Sequence, residues 1–364
     1  MIPVCSPMLA GNEEKYVMDA VSTGWISSSG KYVTDFEEAF ADYCGAKYAV
    51  AVCNGTIALH VMLVAAGIGK GDEVIIPSFT MAATAFSICY TGAKPIFVDV
   101  HPQTWNIDPA KIEEKITTKT KAIMVVHIFG NPCDMDSINV IAKKHNLLVL
   151  DDSAEAHGAE YKGHKTGNLS TITAFSFFAN KNLTTGEGGM VLTSDKNFYD
   201  KLRYYRNVCF PLDAPRIYEH SNIGFNYRMS NLHAAIGLAQ VEKADFYRDL
   251  RIRNAKLYRK KLSKINEIEF QADEAHSLHV HWMNAILVPD RDKVIEHLAN
   301  HSIETRLLFT GMHKQKALLD YGCDGSGDYS VTERLTKHGL YLPSGSNLSE
   351  KEIELVCEKV TEAV

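Results

Sequence analysis

Short β-rich runs alternate with helix-forming segments through the first half of the chain, and this alternation limits the available folds more than any other feature. Between Gly45 and Thr193 the runs are YAVAV (48–52), DEVIIP (72–77), AKPIFVDV (93–100), AIMVVHI (122–128), LLVLDD (147–152), AFSFF (174–178) and MVLT (190–193). Apolar runs separated by helices build a mostly parallel α/β sheet. Segments 56–66, opened by AsnGlyThr, and 136–144 read as two of the crossover helices. In such sheets reactive groups collect at the carboxyl ends of the strands.

After Asn226 the texture changes. Ser230 is placed to cap a long helical region ending near 262, with a break near 243–245. Beyond it, HVHWMNAILV (279–288) reads as a strand, and 291–300 and 349–362 read as helices. A chain of 364 residues exceeds what one hydrophobic core usually organises. The expectation is a large domain over 1–242 and a smaller α+β domain over 243–364.

Charge and composition exclude several partners. The formal net charge is −6, from 38 basic and 44 acidic residues, and the longest basic block is Arg259–Lys261. Nucleic acid is therefore not expected. No run approaches the roughly 20 apolar residues that span a bilayer. The opening MIPVCSPMLAGNEEKY has no basic region ahead of a long apolar stretch, so the expectation is a cytoplasmic protein with no membrane partner. Eight cysteines, at 5, 44, 53, 89, 133, 209, 323 and 357, form no CxxC pair and no metal spacing. They read as reduced packing residues, and no metal is expected.

Three local features carry chemistry. Lys181 lies in FSFFANKNLTTGEGG (175–189), on a loop held between two strands that restricts where its amine points, as a Schiff-base lysine requires. Asp151 and Asp152 end an apolar strand, where a buried carboxylate needs a cation; a protonated pyridine ring is one suitable partner. AsnGlyThr at 54–56 joins a strand to a helix, so backbone N–H groups and the helix dipole face an anion there, and Ser176 has a hydroxyl to add. Taken singly, each has a plainer reading: lysines snorkel to water, aspartates cap helices, and short turns are only turns.

The ordered set of segments resembles the DegT/DnrJ/EryC1/StrS family of sugar aminotransferases, fold-type I enzymes that use pyridoxal 5′-phosphate (PLP). The likeness runs through IPVCSPMLAGNE, GWISSSGKYV (24–33), NGTIALH (54–60), GDEVIIPSFT (71–80), HIFGNPCDM (127–135), DDSAEAHGA (151–159), the Lys181 segment, GFNYRMSNLHAAIGLAQ (224–240) and ETRLLFTGMH (304–313). It implies that Lys181 carries the cofactor and Asp152 partners its ring nitrogen. Gly55 and Thr56 amides and the Ser176 hydroxyl would hold the phosphate, joined by Asn226 from the partner subunit of a homodimer. Glu155 would lie near the cofactor's 3′-hydroxyl. Met81 stands where many relatives place an aromatic ring over the pyridine, a departure that a thioether tolerates. Trp25, Arg306 and His313 would contact the sugar.

Two positions refine the implied reaction. Glutamate at 155, where many relatives have glutamine, is similar to members that aminate C4 of GDP-linked sugars. Lysine at 181, rather than the histidine of the family's dehydratase branch, implies amine transfer. The resemblance thus implies that PLP cycles through pyridoxamine 5′-phosphate, with L-glutamate giving the amine and leaving as 2-oxoglutarate. The acceptor would be a nucleotide-linked 4-keto-6-deoxy sugar, GDP-4-keto-6-deoxymannose ahead of dTDP- or UDP-linked sugars, for surface-polysaccharide (O-antigen) synthesis. A PLP-binding regulator without catalysis is the remaining alternative.

Overall fold

The seven apolar runs pair into one sheet in a computed structural model that describes residues 1–212, 215 and 218–364. The strands are β1 (Tyr48–Val52), β2 (Glu73–Pro77), β3 (Lys94–Val98), β4 (Thr120–Val126), β5 (Leu148–Asp152), β6 (Ile172–Ser176) and β7 (Gly189–Thr193). Their order is β1-β7-β6-β5-β4-β2-β3, with β7 antiparallel to both neighbours and the other pairs parallel. This is the expected mostly parallel seven-stranded sheet of a fold-type I aminotransferase.

Alternation along each strand sorts side chains to two faces. Helices α1 (Glu13–Ser22), α2 (Lys31–Cys44), α3 (Gly55–Ala65), α4 (Ala82–Tyr90), α5 (Met135–His145), α6 (Lys196–Arg206) and α7 (Asn231–Val241) cover those faces. Val50, Val52 and Val191 join a core with α3, α4 and α6, whereas Ala49, Ala51, Met190 and Leu192 meet α2 and α7 on the other side. Phe40 of α2 is fully buried there, its ring centroid 4.9 Å from Phe175 and 5.1 Å from Phe177.

Helix α8 (Ala244–Leu262) follows α7 after the expected break. It packs with α9 (Arg291–Asn300) and the C-terminal helix Glu350–Ala363 on a second, antiparallel sheet. That sheet holds β8 (Glu269–Phe270), β9 (Asn284–Leu287), β10 (Arg306–Leu307) and β11 (Gly339–Leu342) in the order β8-β9-β11-β10. Residues near the start of the chain join it: Ile2 pairs with Ile303 and is buried in the same core.

Two expected strands differ in extent. Of 279–288 only Asn284–Leu287 is strand, because His281 takes φ 47° and the preceding residues bond elsewhere. Val280 N–H donates to the Gly130 carbonyl and Trp282 N–H to that of Phe129, so this stretch is laced to the loop after β4. The run 174–178 leaves the sheet after Ser176, where Phe177 N–H donates to the Gly188 carbonyl across the GEGG turn. Phe40→Ala should lower the unfolding free energy by about 3–5 kcal/mol, measured by denaturant titration, because it removes a fully buried ring packed on Phe36, Phe175 and Phe177.

Candidate active site

A cavity of about 670 Å³ opens at the carboxyl edge of the main sheet, with Trp282, Arg306 and Tyr341 of the C-terminal unit facing it. Gly55 and Thr56 begin α3 at its wall. The Asn54 side chain caps that helix by accepting from Ile57 N–H at 2.9 Å, so the first two amides are left to point outward. A side chain at Gly55 would put Cβ 2.5 Å from Ser176 Cβ and 2.8 Å from its Oγ. Only glycine lets the helix start and β6 lie this close.

The two aspartates at the end of β5 go to opposite faces. Asp151 turns away from the cavity, accepting from Ser153 Oγ–H at 2.9 Å and lying 3.2 Å from His127 Nε2. Cys133 N–H donates to His127 Nδ1 at 3.0 Å, so the ring proton sits on Nε2 and faces Asp151. Asp152 lines the cavity. It accepts from Thr84 Oγ1–H at 2.8 Å and from Ala154 N–H at 3.2 Å, with no cation in ion-pair contact among the described residues. Burial raises its pKa, opposed by the Thr84 and Ala154 hydrogen bonds and by the charge of Lys181.

Lys181 follows a carbonyl fixed from several directions. The Asn180 carbonyl accepts from Trp282 Nε1–H at 2.9 Å and from Arg251 at 3.4 Å, and the Lys181 amide donates to the Phe178 carbonyl at 2.9 Å. Its Nζ lies 3.7 Å from the Trp282 ring centroid, inside the cavity. Burial lowers its pKa, against the raising influence of Glu155 and Asp152. Glu155 Oε2 accepts from the Phe129 amide at 2.7 Å, an amide presented by a residue in the left-handed region, φ 57°. Burial pushes the Glu155 carboxyl up to about 7, opposed by the charge of Lys181 and the Phe129 hydrogen bond.

The structure brings Gly55, Thr56, Met81, Asp152, Glu155, Ser176, Lys181 and Arg306 to one cavity wall. Trp25, Asn226 and His313 are not among its lining residues. Trp25 is exposed, its carbonyl accepting from Asn231, and Asn226 is exposed in a bridge to Asn207. His313 is buried instead, 2.7 Å from Ser78 Oγ and stacked on Tyr329 with centroids 4.1 Å apart. His157 packs among Phe40, Phe175 and Phe177, where burial drives its pKa down to about 3. The sequence reading missed Thr84, Trp282 and Tyr341. Thr84 lies three residues after Met81 on α4, a helical spacing that marks it as a neighbour; the other two carry no local signal.

The DegT/DnrJ/EryC1/StrS aminotransferase family model matches residues 7–361. GDP-perosamine synthase of Caulobacter vibrioides is 46% identical over 361 residues, covering 98% of this chain and 96% of that protein. GDP-perosamine synthase of Escherichia coli O157:H7 is 43% identical, covering 99% and 98%. The crystal structure of S. venezuelae DesV superposes with a TM-score of 0.91 at 31% identity, covering 96% of this chain and 94% of that one. The chain belongs to the DegT/DnrJ/EryC1/StrS aminotransferase family and is a PLP-dependent transaminase.

Proposed function

We propose that the chain transfers the amine of L-glutamate to C4 of GDP-4-keto-6-deoxymannose, giving GDP-perosamine and 2-oxoglutarate for surface-polysaccharide synthesis. One observation carries the reading: a single cavity joins the amine of Lys181, a buried carboxylate with no cation in ion-pair contact among the described residues, and the Gly55–Thr56 start of α3. The full-length likeness to two GDP-perosamine synthases supports this substrate over dTDP- and UDP-linked sugars.

These residues fit PLP. Gly55 and Thr56 amides with Ser176 Oγ form a cradle for its phosphate, and a Cβ at position 55 would fill part of that space. Among the described residues Asp152 has no cation in ion-pair contact, a place that a protonated pyridine nitrogen would fill. Bound there, PLP supplies an electron sink and a carrier for the amine. The Asp152 carboxylate, oriented by Thr84, would keep a proton on the ring nitrogen. Met81 at the α4 start would pack on the ring, and Glu155 would lie on the side of its 3′-hydroxyl. Asn226 would serve the site of a second copy in a homodimer.

Lys181 is the base of this mechanism. Its lowered pKa raises the neutral fraction of Nζ, so it would take the donor's α-proton and later return a proton to the carbon that gains the amine. Trp282 limits the space available to Nζ, holding it within one side of the cavity. Arg306, exposed beside Glu304 at 3.2 Å, is the cation for an anionic portion of substrate.

Three outcomes are expected. Incubation with glutamate and a panel of 4-keto and 3-keto nucleotide sugars should aminate GDP-4-keto-6-deoxymannose; no product from it would sink the substrate reading. Lys181→Ala should slow amine uptake from glutamate by roughly 10²- to 10⁴-fold in single-turnover absorbance measurements. A wild-type protein that binds the cofactor yet never takes up the amine would reverse the reading toward a regulator. The third outcome concerns pH. With its folded pKa raised from 4.5 to about 7, Glu155 keeps its proton in the folded state across that window. Its contribution to cofactor-free stability is present below about 4.5 and lost as pH rises through the raised folded pKa. Glu155→Gln should flatten that slope in denaturant titrations; an unchanged slope would place the titration elsewhere.

A further inference from the structure

The cysteines offer no metal spacing, but two histidines stand one helical turn apart where α9 ends. His297 lies in the last turn and His301 caps the helix four positions on, so both rings project from the same strip of surface. Their centroids are 4.5 Å apart. Glu362, in the last turn of the C-terminal helix that packs against α9, brings a carboxylate to the pair. One ligand atom from each of the three residues lies within 4.8 Å of the other two. None of the three lines the active-site cavity.

We propose that His297, His301 and Glu362 form a binding site for a divalent cation of the zinc class, which clamps α9 to the C-terminal helix. The hydrogen bonds fix which atoms bind. His301 Nδ1–H donates to the His297 carbonyl at 2.8 Å, so Nε2 of that ring keeps its lone pair. A backbone carbonyl on the far nitrogen is the usual way a metal-binding imidazole is oriented. Glu362 divides its two oxygens: Oε1 accepts from Lys359 at 2.7 Å, and Oε2 faces His297 Nε2 at 3.4 Å. The Lys359 charge is shared with Glu358, 2.9 Å away. His297 Nε2 has no hydrogen-bond partner among the described residues, so no proton is shared across the gap to Glu362. A separation of 3.4 Å is long for a charge-assisted hydrogen bond, but it matches the edge of a tetrahedron whose ligands stand at about 2.1 Å from the ion. The nitrogen lies below the surface that water reaches, beside a carboxylate side chain that is itself 43% exposed. An ion held at about 2.1 Å sits closer to the nitrogen than a water does, and it enters as that carboxylate turns. Two imidazoles with one carboxylate select a borderline ion such as Zn²⁺ over Mg²⁺, which keeps to oxygen ligands.

The test is calorimetric titration of the untagged, PLP-loaded protein with Zn²⁺ and with Mg²⁺, after dialysis against a chelator. Zn²⁺ should bind and Mg²⁺ should not. His301→Ala and Glu362→Gln, both at exposed positions, should each weaken Zn²⁺ binding by roughly tenfold or more. Zn²⁺ at about 100 times its Kd should raise the Tm of the wild type by roughly 3 °C, and that of His301→Ala by no more than half as much. No Zn²⁺ binding by the wild type, equal binding of Mg²⁺, wild-type affinity in either variant, or a wild-type Tm that Zn²⁺ does not raise would each overturn the assignment.

Discussion

The guanidinium of Arg251 is the junction through which the two sheets share a cavity. From α8 it donates to Ser346 Oγ at 2.9 Å, to the Trp282 carbonyl at 2.9 Å and to the Ser344 carbonyl at 2.6 Å, all in the C-terminal unit. Its remaining nitrogen reaches Cys5 Sγ at 3.3 Å and the Asn180 carbonyl at 3.4 Å. One cation thus ties an early segment, the lysine loop, the residues just before β9 and those just after β11. Arginine suits this task because its donors are spread over a rigid plane, whereas lysine would present a single point. With Arg251 2% exposed, breaking the cluster would strand a charge and several carbonyls in the interior.

Burial gives the cavity groups whose proton affinities converge. Burial drives Lys181 down and both Glu155 and Asp152 up, and in each case the opposite charge across the cavity pulls the other way. Such opposed shifts bring acid and base toward the range where a proton moves readily between them. Backbone amides and Thr84 hold the two carboxylates in place, so little rearrangement accompanies proton movement.

Much of this was legible in sequence because it is local. The ends of β1, β5 and β6, the AsnGlyThr start of α3 and the lysine before a glycine turn each sit within a few residues of their structural cause. The alternation of apolar runs sets the sheet, and period two explains why adjacent Asp151 and Asp152 serve different faces. Trp282 and Tyr341 were not legible, since Trp282 meets the cavity through Asn180 and Tyr341 through Phe129, each more than a hundred residues away in the chain. His313 shows the converse. Its segment reads as site-like, but the ring turns inward to Ser78 and Tyr329, a choice set by packing.

Helix α4 carries one further implication. Met81 caps it, its sulfur accepting the Ala83 amide at 3.0 Å, and the first turn holds Thr84, which donates to Asp152. Met81 and the hydroxyl that holds Asp152 are therefore attached to one element. Substitutions at 81 and 152 should consequently show epistasis: a bulkier residue at 81 would displace the helix start and loosen the grip of Thr84. Lineages that exchange this thioether for an aromatic ring would then need compensating changes along α4 before they gained anything from the exchange.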